Sequence, residues 1–253
     1  MYSEERKRFI ADQITAQDRV QVSALSQTLH VSEVTIRRDL AEMERDGLLK
    51  RTFGGAVSLT TVKHAEPYAV KRTQQLAAKQ SIGQRAVQFI ADEMTIFIDA
   101  GTTTAELAQA LTGRHLTVVT VDLHIALALS EQENVEVYVV GGQLSNKSKA
   151  TNSIDTIAQI EQFHFDLAFI GCDAFDFTTL ETDTEVKAAL KAAAIHSASL
   201  AIVLADASKF NTHSLRNFAT LSEVSYLVSD PMLNHAAAAL PECVQDKVII
   251  GGS

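Results

Sequence analysis

The sequence predicts an α/β chain in two parts: a small unit of three short helices and a hairpin over residues 1–59, then a doubly wound, mostly parallel sheet over 73–253. Three observations predict it. The chain opens with three capped amphipathic segments that run into a glycine turn; from residue 94 short Val/Ile-rich runs alternate with helical ones; and the charge balance changes between the two stretches. Residues 1–60 hold nine Lys and Arg against nine Asp and Glu, residues 61–80 four against one, and the remainder nine against twenty-one. The net charge of −9 therefore belongs to the last two thirds.

Ser3 with Glu4 and Glu5 is a helix start, because a hydroxyl and first-turn acids offset unpaired amide groups, and Phe9, Ile10 and Ile14 give one apolar face. Val20 and Val22 lead to Ser23, an expected cap for a second helix carrying Ala24, Leu25 and Leu29. His30 and Val31 interrupt it. Ser32 caps a third helix that ends at Gly47, and Leu48 to Arg51, a turn at Thr52 to Gly55, and Ala56 to Leu59 form a hairpin. Residues 60–72 lack an apolar period through Pro67 and are the expected linker. One long helix is expected from Thr73 to Ala91, with Leu76, Ile82, Ala86 and Ile90 on one face.

Runs at 94–98, 116–121, 135–140, 166–171 and 200–205, followed by YLVSD and KVII, are apolar at nearly every position. Strands of a parallel sheet are buried from both sides and need that composition.

At 46% hydrophobic and 21% charged residues with three prolines, the composition is that of an ordinary globular protein. Cys172 and Cys243 are far apart and lack metal-ligand spacing, so both are expected to be reduced packing residues with no metal site. No Gly-x-Gly-x-x-Gly and no Walker sequence occurs, which argues against dinucleotides and ATP and leaves no cofactor expected. The first ten residues, MYSEERKRFI, have no apolar signal core, and no apolar run is long enough to span a membrane. A cytoplasmic protein without membrane partners is expected.

On the third helix, turned at about 100° per residue, Ile36, Leu40 and Met43 share a narrow arc and Val34, Arg37, Arg38, Ala41 and Arg45 the opposite one. Long bases with small apolar neighbours and Thr35 near the N-terminus suit a DNA major groove, where Arg reads guanine edges or phosphate. The preceding helix and the His30-Val31 turn complete a helix-turn-helix. Lys50, Arg51 and the amides of Gly54 and Gly55 are expected to approach phosphates. An arginine pair that merely solvates a helix and pairs with acids one turn away would look the same in isolation. The capped partner helix and the glycine turn favour DNA.

VSEVTIRRDLAEMERDGLLKRTFGGA resembles the signature of the DeoR family of bacterial transcriptional regulators, whose winged helix-turn-helix carries a Thr-Ile-Arg-Arg-Asp-Leu core and a Gly-Gly-Ala wing. The resemblance implies that Ser32, Thr35, Arg37 and Arg38 belong to the recognition helix and that Arg51 to Gly55 form the wing.

In an open parallel sheet, ligands bind beyond the carboxyl ends of the strands. Those ends are polar here: Asp99 to Thr104, Thr120 to Asp122, Gly141-Gly142, Gly171 to Asp173, and Asp206 to Lys209. Gly101 followed by Thr102, Thr103 and Thr104 at a helix start offers amides, hydroxyls and a helix N-terminus to a phosphate, with Lys209 adding positive charge. Each feature alone is more often a cap or a turn. Their gathering on one rim points to a small-ligand pocket.

DeoR-type regulators carry a C-terminal domain similar to sugar-phosphate isomerases, and Asp99, Gly101, Thr102, Thr103, Gly141, Gly142, Asp173, Asp206, Ser208 and Lys209 match its steps. The resemblance thus spans nearly the whole chain and implies a phosphorylated sugar as effector. Two positions depart from it. Four residues before Lys191 the family often has glutamate where this chain has Lys187, and after the second strand Thr120-Val121 replaces Thr-Asn. Lys187 is expected either to favour a more anionic ligand, with Glu185 a possible substitute for the missing acid, or to point to solvent.

The resulting expectation is a repressor of a sugar-utilisation operon, binding double-stranded operator DNA as a dimer or tetramer and modulated by a sugar phosphate. It is not expected to be an enzyme. The competing expectation is a sugar-phosphate isomerase or deaminase with an appended DNA-binding domain.

Overall fold

Helix α1 (Ser3–Gln17) and strand β1 (Arg19–Gln21) lead into α2 (Val22–Leu29), α3 (Glu33–Arg45), β2 (Leu49–Thr52) and β3 (Gly55–Ser58) in a computed structural model that describes residues 3–17, 19–46, 48–52, 54–58, 66–233 and 246–251. The chain divides into two units, Met1–Val62 and Lys63–Ser253. In the first, Ile10, Ile14, Val22, Leu25, Ile36, Leu40, Met43 and Leu49 form one buried core. The apolar arcs of the three helices meet there, as their spacing requires.

Ser32 caps α3 by accepting from the Thr35 amide at 3.2 Å. His30, in the left-handed conformation at φ 53, ends α2 and makes the turn tight. Asp39 lies on the inner side of α3, buried, where the Arg6 guanidinium grips both of its oxygens at 2.7 and 3.1 Å. An acid on the core side is tolerable because its charge is paired.

Two expectations about this unit are corrected. Ser23 does not cap α2: the helix already begins at Val22, whose amide donates to the Gly54 carbonyl at 2.8 Å, so Ser23 lies inside its first turn. The hairpin is also not two-stranded: β1 joins it in the order β1-β3-β2, with Val20 opposite Ala56 and Gln21 opposite Gly55. Gly55 is needed for that junction, since a Cβ there would stand 1.8 Å from the Val20 carbonyl oxygen. Gly55→Ala is expected to destabilise this unit by about 1–3 kcal/mol, the usual cost of forcing an extra carbon into a packed site. An unchanged melting temperature would contradict it.

The second unit continues with α4 (Tyr68–Thr73), α5 (Leu76–Ala86), β4 (Thr95–Ile98), α6 (Thr102–Ala110), β5 (Leu116–Thr120), α7 (Leu123–Ser130), β6 (Val135–Val139), α8 (Ile154–Ile160) and β7 (Phe165–Gly171). After these come β8 (Ala174–Phe175), β9 (Thr179–Thr182), α9 (Glu185–His196), β10 (Ala198–Leu204), β11 (Arg216–Thr220), β12 (Tyr226–Ser229) and β13 (Val248–Ile250). Among the described residues, seven strands form one sheet in the order β13-β12-β10-β7-β4-β5-β6, and every pairing is parallel. Ile96, Ile98, Val118 and Phe169 feed a core on one face, while Phe97, Val119, Ala168 and Ile170 feed the core on the other. Burial on both faces is the physical reason the strands are continuously apolar.

From β4 the chain winds outward to β5 and β6, then returns across β4 to β7 and winds the other way. The reversal lies between β4 and β7. Loops leaving the carboxyl ends of those two strands diverge and leave a crevice there.

The long helix expected from Thr73 to Ala91 is broken. Gln75 sits at φ 51 between α4 and α5, and α5 gives way to a 3₁₀ turn at Val87–Phe89. Helix α4 also occupies part of the expected linker, because Tyr68 and Lys71 are fastened to the body of the second unit. A small antiparallel sheet, β11-β9-β8, went unforeseen. Among the described residues no helix is long and apolar enough to cross a membrane. Cys172 is partly buried, and Cys243 lies outside the described residues.

Candidate functional site

On α3 the side opposite the core presents Val34, which is 77% exposed, together with Arg37, Arg38 and Arg45. Arg37 reaches Glu33 at 2.8 Å and Arg38 reaches Glu42 at 3.3 Å, each one helical turn away. Both guanidiniums remain largely open to solvent, so the ion pairs hold them loosely above the surface. Arg45 leans on the Ala41 carbonyl at 3.4 Å. Ser32 and Thr35 share a hydroxyl contact of 2.9 Å at the start of the helix. The Arg51 amide donates to Glu44 at 2.8 Å, fastening β2 to α3. Gly54 is exposed, with open space where a side chain would stand, whereas Gly55 is buried against β1 and offers no free approach, a correction to the expected pair. The Lys50 side chain lies outside the described residues.

The second unit has a cleft at the β4/β7 reversal, enclosing about 900 Å³ out to its open mouth. Asp99, Gly101, Thr102, Thr103, Thr104, Asp173, Lys187 and Lys209 line it. Gly101 precedes α6, and the Thr104 hydroxyl turns back to the Gly101 carbonyl at 2.9 Å. That capping leaves the first-turn amides and the hydroxyls of Thr102 and Thr103 for a ligand. A helix N-terminus with unpaired amides carries partial positive charge and favours an anion.

Gly141, Gly142 and Asp206 do not line the cleft, contrary to expectation. Gly142, at φ 142, lies where a Cβ would stand 2.0 Å from the Thr156 hydroxyl, and that hydroxyl donates to the Gly141 carbonyl at 2.8 Å. The glycine pair thus seats the capping box of α8. Asp206 is buried and spends its carboxylate on the Ser208 amide at 3.1 Å and the Ser208 hydroxyl.

Lys187 lines the cleft and pairs with Asp183 at 2.7 Å. Glu185 does not substitute for the missing acid, because it faces Arg216 at 2.7 Å.

Lys71, Lys191 and Tyr68 are cleft residues that the sequence reading missed. Lys191 is buried on α9, where its ammonium meets Asp99 and the Gly171 carbonyl, the latter at 2.8 Å. Lys71 meets Asp173 at 2.6 Å. Burial would raise the Asp173 carboxyl, but Lys71 and Lys191 outweigh it and hold the group far below the usual carboxylate range. Burial would likewise lower Lys191, and Asp99 and Asp173 outweigh it, so the ammonium persists. Burial pushes the Cys172 thiol up to about 12, which removes it as a nucleophile at neutral pH. Five lysines face three carboxylates across the lining, a cationic surplus in an acidic chain. The Ser148 hydroxyl in the same wall is a buried atom with no partner among the described residues.

A helix-turn-helix unit closed by a three-stranded wing, followed by a parallel α/β unit with a cationic cleft, defines a two-part DNA-binding regulator with a ligand sensor. Residues 6–62 match the DeoR-like helix-turn-helix domain and residues 74–231 the DeoR C terminal sensor domain. The chain belongs to the DeoR family of transcriptional regulators. It is 36% identical, over 92% of each chain, to the HTH-type transcriptional regulator GlpR of Haloferax volcanii. To the putative aga operon transcriptional repressor of Escherichia coli O157:H7 it is 34% identical, over 89% of this chain and 86% of that one. To the HTH-type transcriptional repressor GlcR of Bacillus subtilis it is 30% identical, over 93% and 92%. Among solved structures, ribose 5-phosphate isomerase A of Methanocaldococcus jannaschii overlaps 52% of this chain and 53% of its own at 18% identity, with a TM-score of 0.38. So loose an overlap assigns no activity.

Proposed function

We propose that this regulator is a cytoplasmic repressor of a sugar-utilisation operon, and that a sugar carrying one phosphate monoester, bound in the cleft, loosens its hold on operator DNA. The observation that carries the reading is the α6 N-terminus, with Thr102 and Thr103, opening into a cleft that holds five lysines and three carboxylates. A phosphate monoester carries about −1.5 to −2 charges at neutral pH, which that surplus offsets in part. The names of two similar proteins, the putative aga operon transcriptional repressor and the HTH-type transcriptional repressor GlcR, support the repressor assignment. Ser32, Thr35, Arg37, Arg38, Arg45 and Arg51 supply the DNA face in this reading. Two-fold operators match two-fold proteins, so the working form is at least a dimer.

The effector acts by binding the DNA-competent and DNA-released arrangements unequally, since a ligand with equal affinity for both shifts nothing. Catalysis is a poorer reading of the cleft. An isomerase needs a carboxylate or similar base near the sugar, and buried Asp99 and partly exposed Asp173 are both engaged by lysines.

The double variant Thr102→Val/Thr103→Val removes two hydroxyls at nearly constant volume. It is expected to lose release by sugar phosphates at least tenfold while DNA binding stays as before, read by gel shift over a panel of hexose and pentose monophosphates. Release at unchanged effector concentration would remove the phosphate assignment. Turnover of any panel member by the purified chain would overturn the repressor-only view.

A further inference from the structure

Helix α4 forms one wall of the cleft through Tyr68 and Lys71 and packs on α6. It starts at Tyr68, near the sequence boundary with the first unit, which ends at Val62. Six residues are too few to hold a helix by themselves. What holds α4 is a set of ties. The Tyr68 ring lies flat on the His124 imidazole, with centroids 4.2 Å apart and planes 2° from parallel. The Tyr68 amide reaches the Lys147 carbonyl at 3.4 Å. Lys79, itself buried, closes the far end by donating to the carbonyls of Lys71 and Gln74, the second at 2.6 Å.

The remaining tie is different in kind. Lys71 crosses the cleft wall to Asp173, and both partners are partly exposed, so an anion entering the cleft competes with Asp173 for the same ammonium. Asp173 tolerates the exchange, because Lys191 and Lys209 also act on it.

We propose that Lys71 is the residue by which the cleft reports its occupancy: a phosphate monoester at the N-terminus of α6 takes Lys71 from Asp173, bridges α4 to α6, and orders α4. The inference rests on the phosphate reading of the cleft and adds the route by which binding leaves it. Lys71 is in this sense a positioning residue as well as a ligand contact. Its loss weakens the signal more than the binding, since the α6 amides and the other lysines remain.

Hydrogen exchange of the full chain, followed by mass spectrometry with inorganic phosphate as probe and alongside thermal melting, tests it. In the unmodified chain phosphate is expected to raise the melting temperature and slow exchange severalfold at both 101–106 and 68–73. Lys71→Gln is expected to keep slowed exchange at 101–106 and to lose it at 68–73; Lys71→Arg, which retains the charge, is expected to restore it. Slowing at 101–106 with none at 68–73 in the unmodified chain would overturn the role of Lys71 and leave the cleft assignment standing. No change in melting or at 101–106 would overturn both.

Discussion

Lys191→Met is expected to destabilise the second unit by about 3–5 kcal/mol, the cost of removing one partner from a buried ion pair. Methionine keeps the stem and its packing near the Phe218 ring, over which the ammonium now lies at 5.5 Å. It deletes only the charge. Asp99 is then left buried with the Gly171 amide at 3.1 Å as its remaining bond, and Asp173 loses one of the lysines that keep it ionised. Three of the four tyrosines, Tyr68, Tyr138 and Tyr226, belong to this unit, so near-ultraviolet circular dichroism in urea follows its unfolding specifically.

The pH dependence has a definite sign. Asp173 is depressed in the folded state, so its contribution is present above the unfolded carboxylate value of about 3.9 and is lost as pH falls through its much lower folded value. Lys191 is raised, so its contribution holds below about 10.4 and is lost as pH rises through its higher folded value. Without Lys191 the Asp173 carboxyl moves upward, and acid unfolding begins at higher pH. Lys191→Met/Asp99→Leu, which removes both charges, should recover part of the loss. An unchanged urea midpoint in the single variant would contradict the argument.

Features governed by local pattern were readable in advance. Val/Ile runs separated by amphipathic stretches announced the parallel sheet, Ser32 announced the start of α3, and Gly101 with its threonines announced the mouth of the cleft. What escaped was set by contacts between distant residues. Lys191 lies 92 positions from Asp99, and Lys71 lies 102 from Asp173. Nothing near Lys71 distinguishes it from a linker lysine. Lys191 did carry one signal: a lone charge among alanines on the side of α9 that a parallel sheet must bury. Gly55 and Gly142 were read as ligand-facing turns because a glycine reserved for close backbone or hydroxyl packing looks the same in sequence as one reserved for phosphate. Strands as short as β1 and β8 carry too few residues for alternation to register.

Arg37→Ala/Arg38→Ala is expected to weaken operator binding roughly a hundredfold or more, each arginine accounting for about tenfold or more on the scale of single base or phosphate contacts. The folded unit should be indifferent to the change. Both side chains stand outside the core, and their partners Glu33 and Glu42 are held one turn away in solvent-exposed pairs that are weakly bound and readily exchanged for a phosphate or a base edge. The single variants separate the two kinds of contact. Loss of a phosphate contact lowers the slope of log affinity against log salt by about one and affects all sequences alike, whereas loss of a base contact relaxes the preference at one position and leaves the slope nearly unchanged. An operator selected from random duplexes with the unmodified protein supplies the target, and reselection with each variant reads the lost position. Equal affinity of the double variant and the unmodified chain, at equal melting temperature, would reduce the arginine pair to surface solvation and move the DNA face elsewhere on the unit.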